Sequence, residues 1–419
     1  MNRIKIGIIA LLFSTQFAKA QHTQLPAPSS AIYNINDYGA LGDNKTLNTI
    51  AIQKALDLAK TAGGKVLVPA GDYLCGPLNL YSKTQLEIAK GATLRLRNDV
   101  DAFPSANGRY LNFIDVSNAT DIKISGAGTI DGQGEIWWEA TTAKTLTLRR
   151  PQLLYVDGSQ RVEISGITFL NPPNTHVSLK NSSEVYIHDI VIQAPANSRN
   201  TDGINISAKN STIERCRINT GDDNIAINFG NRKQAAGDPE VKNMVIRDCT
   251  FGHGHGLSIG SFTSGGLNNL LVSNCTFDGT TSGIRIKTAR GRGGVLDHVT
   301  YENIVIKNSK YPIFISEYYP HEPKTPQEDV EQNVGLFNPV YKNISLKNIT
   351  VENAHEALIL WGIPESPIQN IRFENIKISA RNGAQIYNAL NVEFINSTIQ
   401  NVGAKLRVYN SSVSGLKNN

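Results

Sequence analysis

One short text recurs along this chain with a constant core and a variable interval. It reads IKISGAGTI from Ile122, then VEISGITF, VYIHDIVI, MVIRDCTF, LLVSNCTF, VTYENIVI, ISLKNITV, IRFENIKI and VEFINSTI. Each copy alternates apolar and polar residues and most then break at Gly, Asp or Asn, the pattern of a strand ending in a turn. Aligning Gly166, Asp189, Asp248, Asn274, Asn303, Asn348, Asn375 and Asn396 shows that the step from one copy to the next is not constant. The longest step, from Asp189 to Asp248, holds a weaker copy, TIERCRI, around Arg215. A fixed strand text on a variable period predicts coils with one core and loops of differing length. A solenoid of this kind grows in one dimension. It therefore accommodates 419 residues in one domain, whereas a globular core stops growing at roughly 250–300 residues.

Between Asn200 and Lys287 the same logic aligns chemistry. Four apolar pairs recur at similar steps, Ile204/Ile206, Ile225/Ile227, Leu257/Ile259 and Ile284/Ile286. Two positions before each stand Asp202, Asp223, His255 and Ser282, and Arg285 and Lys287 alternate with the last isoleucines. If each step is one coil, successive strands stack about 4.8 Å apart. Asp202, Asp222, Asp223, His255, Arg285 and Lys287 then share one exposed wall. Clustered carboxylates suit hydrolysis of a glycosidic bond, which needs one acid protonated and another ionised. Arg and Lys on a neighbouring coil supply fixed charge for an acidic sugar, with Arg able to grip a carboxylate through two parallel bonds.

The segments Asn200-Thr201-Asp202, Gly221-Asp222-Asp223, Gly254-His255-Gly256 and Arg285-Ile286-Lys287 resemble, in order, the four signature motifs of glycoside hydrolase family 28, the polygalacturonases. The likeness extends more weakly from about Tyr33 to Tyr318. It implies an all-β fold, a single-stranded right-handed parallel β-helix with an N-terminal capping helix, and hydrolysis of α-1,4-linked galacturonic acid with inversion. By resemblance Asp222 is the general acid, Asp202 and Asp223 hold the attacking water, and His255 orients the acid. Arg285 and Lys287 bind substrate carboxylates, and Tyr318 contacts substrate, with Tyr319 an equal candidate. This scheme invokes no metal and no cofactor. The chain departs from the family where relatives commonly carry an aromatic residue near Asn174 or Thr175.

Residues 1–20 read as a secretory signal. Arg3 and Lys5 form its basic start, Ile6 to Phe13 its apolar middle, and Ala18-Lys19-Ala20 its cleavage site. The apolar run is too short to span a membrane. The expectation is an exported, periplasmic or extracellular monomer whose catalytic domain covers residues 21–419. Losing Arg3, Lys5 and Lys19 lowers the net charge from +5 to +2, which excludes general attraction to nucleic acid. The expected partner is a pectic polysaccharide or oligogalacturonide.

Thr46 or Asn48 is positioned to N-cap a helix running to about Ala62, with Gly63-Gly64 ending it. The helix covers open strand edges at the end of the solenoid. Cys216, Cys249 and Cys275 share one repeat position and read as a buried, unpaired column; Cys75 stands apart. Trp137-Trp138 reads as a packed loop anchor, and His176 falls on the wall one coil before Asp202. The largest insertion, about Tyr318 to Pro339, predicts a loop beside the cleft. Three other functions compete: a rhamnogalacturonan-directed hydrolase of the same family, a pectate lyase with Ca²⁺ at Asp222-Asp223, and a non-catalytic polysaccharide-binding β-helix.

Overall fold

The computed structural model describes residue 25 and residues 29–418, apart from residues 231–237, 322, 324, 325, 402, 404 and 405. The export segment of residues 1–20 lies outside the described residues. From Ile32 to Asn418 the chain coils as a parallel β-helix whose strands pair in parallel with their counterparts on neighbouring coils; a short antiparallel pair, Ser105–Ala106 with Arg109–Tyr110, stands apart. Three columns of strands run the length of the molecule. The first carries the register Leu154, Val177, Ile204, Ile225, Leu257, Ile284 and Ile313. Each step from Ile204 to Ile225, to Leu257 and to Ile284 is therefore a single coil.

Because the register is kept from coil to coil outside a few bulges, like side chains stack inside. Ile130, Phe169, Ile192, Ile218, Phe251, Phe277 and Ile306 form one such row in the third sheet. Phe251 and Phe277 stack nearly parallel with ring centres 4.5 Å apart, close to the strand spacing between coils. Cys216, Cys249 and Cys275 are buried and unpaired, as is Cys75. Each thiol of the column donates to the carbonyl two residues earlier, at 3.2–3.3 Å.

The corner after the second sheet explains the punctuation of the repeat. Gly166, Asp189, Arg215, Asp248, Asn274, Asn303, Asn348, Asn375 and Asn396 all have positive φ, between 48° and 74°. Short polar residues tolerate that conformation because their side chains bond locally. Here they also bond between coils. Asn274 donates to Asp248, Asn303 to Asn274, Asn348 to Asn303 and Asn375 to Asn348, at 3.0–3.1 Å. Arg215 is the exception, and its guanidinium is held by both oxygens of Asp189 on the preceding coil.

The capping helix α1 spans Thr49–Ala62 and buries Ile52, Ala55, Leu56 and Ala59. Asn48 stands at its N-cap but makes no capping bond. Its buried amide instead ties the approaching chain, accepting from the Leu41 amide and donating to the Thr46 carbonyl, both at 2.7 Å. A second helix α2, Glu135–Thr142, adds to the expected one. It seats Trp137 fully inside, edge-on to Phe103 and Tyr110, while the Trp138 indole donates to the Pro172 carbonyl.

Candidate active site

The outer face of the first sheet brings together the residues aligned by phase. Asp202, Asp223 and His255 precede consecutive strands of one ladder, and Arg285 and Lys287 project from the next. Asp223 is the hub. Its Oδ1 accepts from Arg285 at 2.9 Å and from the Ser258 hydroxyl at 2.7 Å, and its Oδ2 accepts from Lys287 at 2.8 Å. Burial alone would raise its pKa, but the Lys287 and Arg285 charges and the hydrogen bonds from Lys287 and Ser258 hold it at about 2.

Asp202 has the opposite environment. Burial, followed by the Asp222 and Asp223 charges, pushes its pKa up to about 8, against the opposing pull of Lys287 and Asn205. Two carboxyls one coil apart are thus driven in opposite directions, the arrangement that lets one group hold a proton while another stays ionised. Asp222 is more open, with 21 % of its side chain exposed. It accepts from the Asp223 amide at 2.8 Å and the Asn200 amide at 3.3 Å, and it faces His255 Nδ1 at 3.1 Å.

His255 reaches Asp222 because glycines flank it. A side chain at Gly254 would meet Asn224 and Thr220 within 2.6 Å, and one at Gly256 would strike the Ser282 carbonyl. Both glycines have positive φ. Asn224, fully buried, staples this turn by accepting from the Gly256 amide and donating to the Ile218 and His253 carbonyls. Arg150 supports the other side, donating to the Pro173 and Arg199 carbonyls and to the Asn200 side chain. Neither Asn224 nor Arg150 stands out in the sequence, although Asn224 directly follows the aspartate pair.

Three expectations change. Lys287 lies on the expected face but is not exposed; only 6 % of its side chain meets solvent, because its ammonium is committed to Asp223. Tyr318 does not face the cleft. It is 7 % exposed, and its hydroxyl donates to Asp329 and to the Gly362 carbonyl. Its neighbour Tyr319 instead lies beneath both cations, with Arg285 at 5.6 Å and Lys287 at 5.1 Å from its ring centre. On the loop that follows Lys287, Arg290 is held by Glu365 and Asp329, whereas Arg292 lies over Phe262. His176 is fully buried between the Asp202 and Gln193 carbonyls and serves the coil rather than the cleft.

Asp222, Asp223 and His255 offer three ligand atoms within 4.8 Å of one another. A divalent ion there would compete with Arg285 and Lys287 for the same carboxylate, and would sit against two fixed positive charges. The donor set favours ion pairing within the protein over a calcium site, which needs six to eight oxygens.

A model of the glycosyl hydrolases family 28 matches residues 59–400. An endo-polygalacturonase of Pectobacterium carotovorum subsp. carotovorum is 33 % identical over 412 residues, covering 92 % of this chain and 96 % of the relative. The solved polygalacturonase from Erwinia carotovora ssp. carotovora superposes with a TM-score of 0.74 at 32 % identity, covering 87 % of this chain and 96 % of that one. The Yersinia enterocolitica family 28 exopolygalacturonase shares the fold with a TM-score of 0.78 at 22 % identity, covering 91 % of this chain and 78 % of its own.

Proposed function

The chain belongs to glycosyl hydrolases family 28, and on that premise we propose that it is an exported, monomeric polygalacturonase that releases galacturonic acid from chain ends with inversion. The observation that carries the reading is Asp223, held ionised between Arg285 and Lys287 one coil from a carboxyl pushed up to about 8. Asp222, open to the cleft and contacted by His255, protonates the leaving oxygen. Asp202 and Asp223 position the water on the opposite side. Arg285 and Tyr319 meet the substrate carboxylate and ring, while Lys287 fixes Asp223.

Support for exo action comes from the insertion after Tyr318. Asp329 is bound to Arg290, and the Phe337 carbonyl accepts from the Gly291 and Gly293 amides, so the insertion packs on the loop that follows Lys287. A 620 Å³ cavity between Tyr319, Pro320 and Arg292 lies there.

A product time course on de-esterified polygalacturonate tests the reading. Monomer from the first minutes is expected, with proton NMR showing the β-anomer first. A ladder of oligomers would replace exo with endo action. An unsaturated product that requires Ca²⁺ would make the protein a lyase.

A further inference from the structure

A carboxyl that the acid–base scheme does not use lies buried one coil beyond the two cations. Glu317 directly follows the strand Ile313–Ser316, whose Ser316 pairs in register with Lys287. It is only 1 % exposed. Its Oε2 accepts from the Ile363 amide at 2.9 Å, while Oε1 is buried without a hydrogen-bond partner. An ionised carboxylate with an orphaned oxygen away from water is costly, and a proton removes the charge. Arg290 is the cation whose charge reaches Glu317, but its guanidinium is committed to Glu365 and Asp329.

The other titratable groups facing Glu317 give its charged form no help. Tyr341 is fully buried with an unpartnered hydroxyl, and both it and Tyr318 are harder to ionise for the Glu317 charge beside them. Glu365 is buried too, yet its bond to Arg290 keeps its pKa low, so it presents Glu317 with a like charge. Burial, with that charge added and with the Ile363 amide and Arg290 opposing, pushes the Glu317 carboxyl well above the usual range.

Around this carboxyl three segments are tied together. The Glu317 amide donates to the Trp361 carbonyl, and the Tyr318 hydroxyl donates to the Gly362 carbonyl and to Asp329. The Ser366 hydroxyl donates to the Pro339 carbonyl at 2.6 Å, and the Asn338 amide donates to Glu365. The turn from Trp361 to Ser366 thus holds both ends of the insertion that begins at Tyr318. The loop after Lys287 joins them through Arg290 and through the Thr288 carbonyl, which accepts from the Tyr319 amide at 2.9 Å. Tyr319, seated beneath Arg285 and Lys287, is two residues from the buried carboxyl.

We propose that Glu317 is a positioning residue, a latch whose neutral carboxyl holds the turn Trp361–Ser366 against Tyr318 and Tyr319 and whose ionisation releases them. To ionise, the group must reach water, and the turn that covers it is what gives way. The latched state keeps a proton that the released segment gives up. Its contribution is therefore complete at acidic pH and is lost as pH rises through the native ionisation. Tyr319 then leaves its place beneath the cations, and substrate binding weakens on the alkaline side. The latch needs no substrate; only this last consequence rests on the hydrolase reading.

Glu317→Gln tests it, because the amide keeps an acceptor for Ile363 and cannot ionise. Hydrogen exchange is followed across pH at the Tyr319 and Ile363 amides, with the strand Val177–His188 as a distant control. With one proton linked to opening, exchange in the parent relative to the variant should rise about tenfold per pH unit above the native ionisation. The control should show no such divergence. KM for trigalacturonate should rise in the parent over the same range and stay lower in the variant. Parallel exchange profiles would overturn the latch, as would profiles that differ by one constant factor at every pH, the mark of a merely structural role. Diverging exchange with identical KM profiles would overturn the positioning of Tyr319. Should the glutamine variant not fold, Glu317→Met, of similar length and without charge, is expected to lack the same pH dependence. If exchange diverges with pH and the protein cleaves no galacturonide, the hydrolase reading fails and the latch stands.

Discussion

The corner ladder and the catalytic wall are built on the same geometry, one residue per coil in exact register, and they use it in opposite ways. At the corner, Asn274, Asn303, Asn348 and Asn375 repeat one side chain that can both donate and accept, so Asn303, Asn348 and Asn375 each donate to the copy on the coil before. On the wall, Asp202, Asp223, His255 and Ser282 place unlike groups at equivalent positions, and two carboxyls meet with a third close by. Stacking like with like gives a column without conflict. Stacking charge on charge gives a cluster whose members cannot all ionise, and that conflict is what acid–base chemistry requires.

The sharpest break of this contrast is Asp222→Asn. It removes the proposed proton donor from the wall and leaves the shape, so turnover should fall about 10²–10⁴-fold with the melting temperature unchanged. A variant keeping a tenth of the activity would remove Asp222 from the acid role. Lys287→Ala comes next, through stability. Stripping one partner from a buried ion pair costs about 3–5 kcal/mol, and the residual Arg285–Asp223 contact should place the loss toward the lower end. Denaturant unfolding measures it. A change no larger than about 0.5 kcal/mol, the usual span for surface substitutions, would mean the lysine behaves as a surface residue after all.

Asp202→Asn sharpens the comparison through pH. The native carboxyl holds its proton up to about pH 8, whereas the unfolded chain ionises near 3.8. The native state therefore binds more protons across that window, and Asp202's contribution to stability is present below it and lost as pH rises through it. The amide carries no such dependence. The variant should match the parent near pH 4, exceed it increasingly as pH rises toward 8, and be inactive throughout. Equal stability at both ends would show that the wall is not under electrostatic conflict. The smallest effect belongs to the satisfied column: Asn348→Ala loses two amide bonds and puts an alanine at positive φ, for about 1–2 kcal/mol with activity unaltered.

The coil and its phase were legible because strand alternation and the recurring Gly, Asp and Asn report directly on local backbone. The position of Asp202, Asp223 and His255 two residues before each apolar pair was enough to collect them on one wall. Depth was not legible. Alternation assigned Lys287 to the outer face, yet nothing in its own strand reveals that Asp223 and Tyr319 close over it. Tyr318 and Tyr319 are adjacent, and the strand Ile313–Ser316 ends before either, so no alternation remained to say which turns inward. Helix α2 is only about two turns long, which is too short for a periodic signal. Asn224 and Arg150 act through backbone carbonyls contributed by neighbouring coils, far off in sequence, and only the folded chain brings those into reach.

The in-register first sheet makes this protein a ruler. Its graduations are coils, and a side chain can be moved along the cleft only in whole steps of about 4.8 Å. The distance between the Asp202 and Lys287 positions is thus set by an integer, three coils, and not by loop conformation. Moving Lys287 by one coil would shift its charge relative to the acids by one graduation, with the fold untouched.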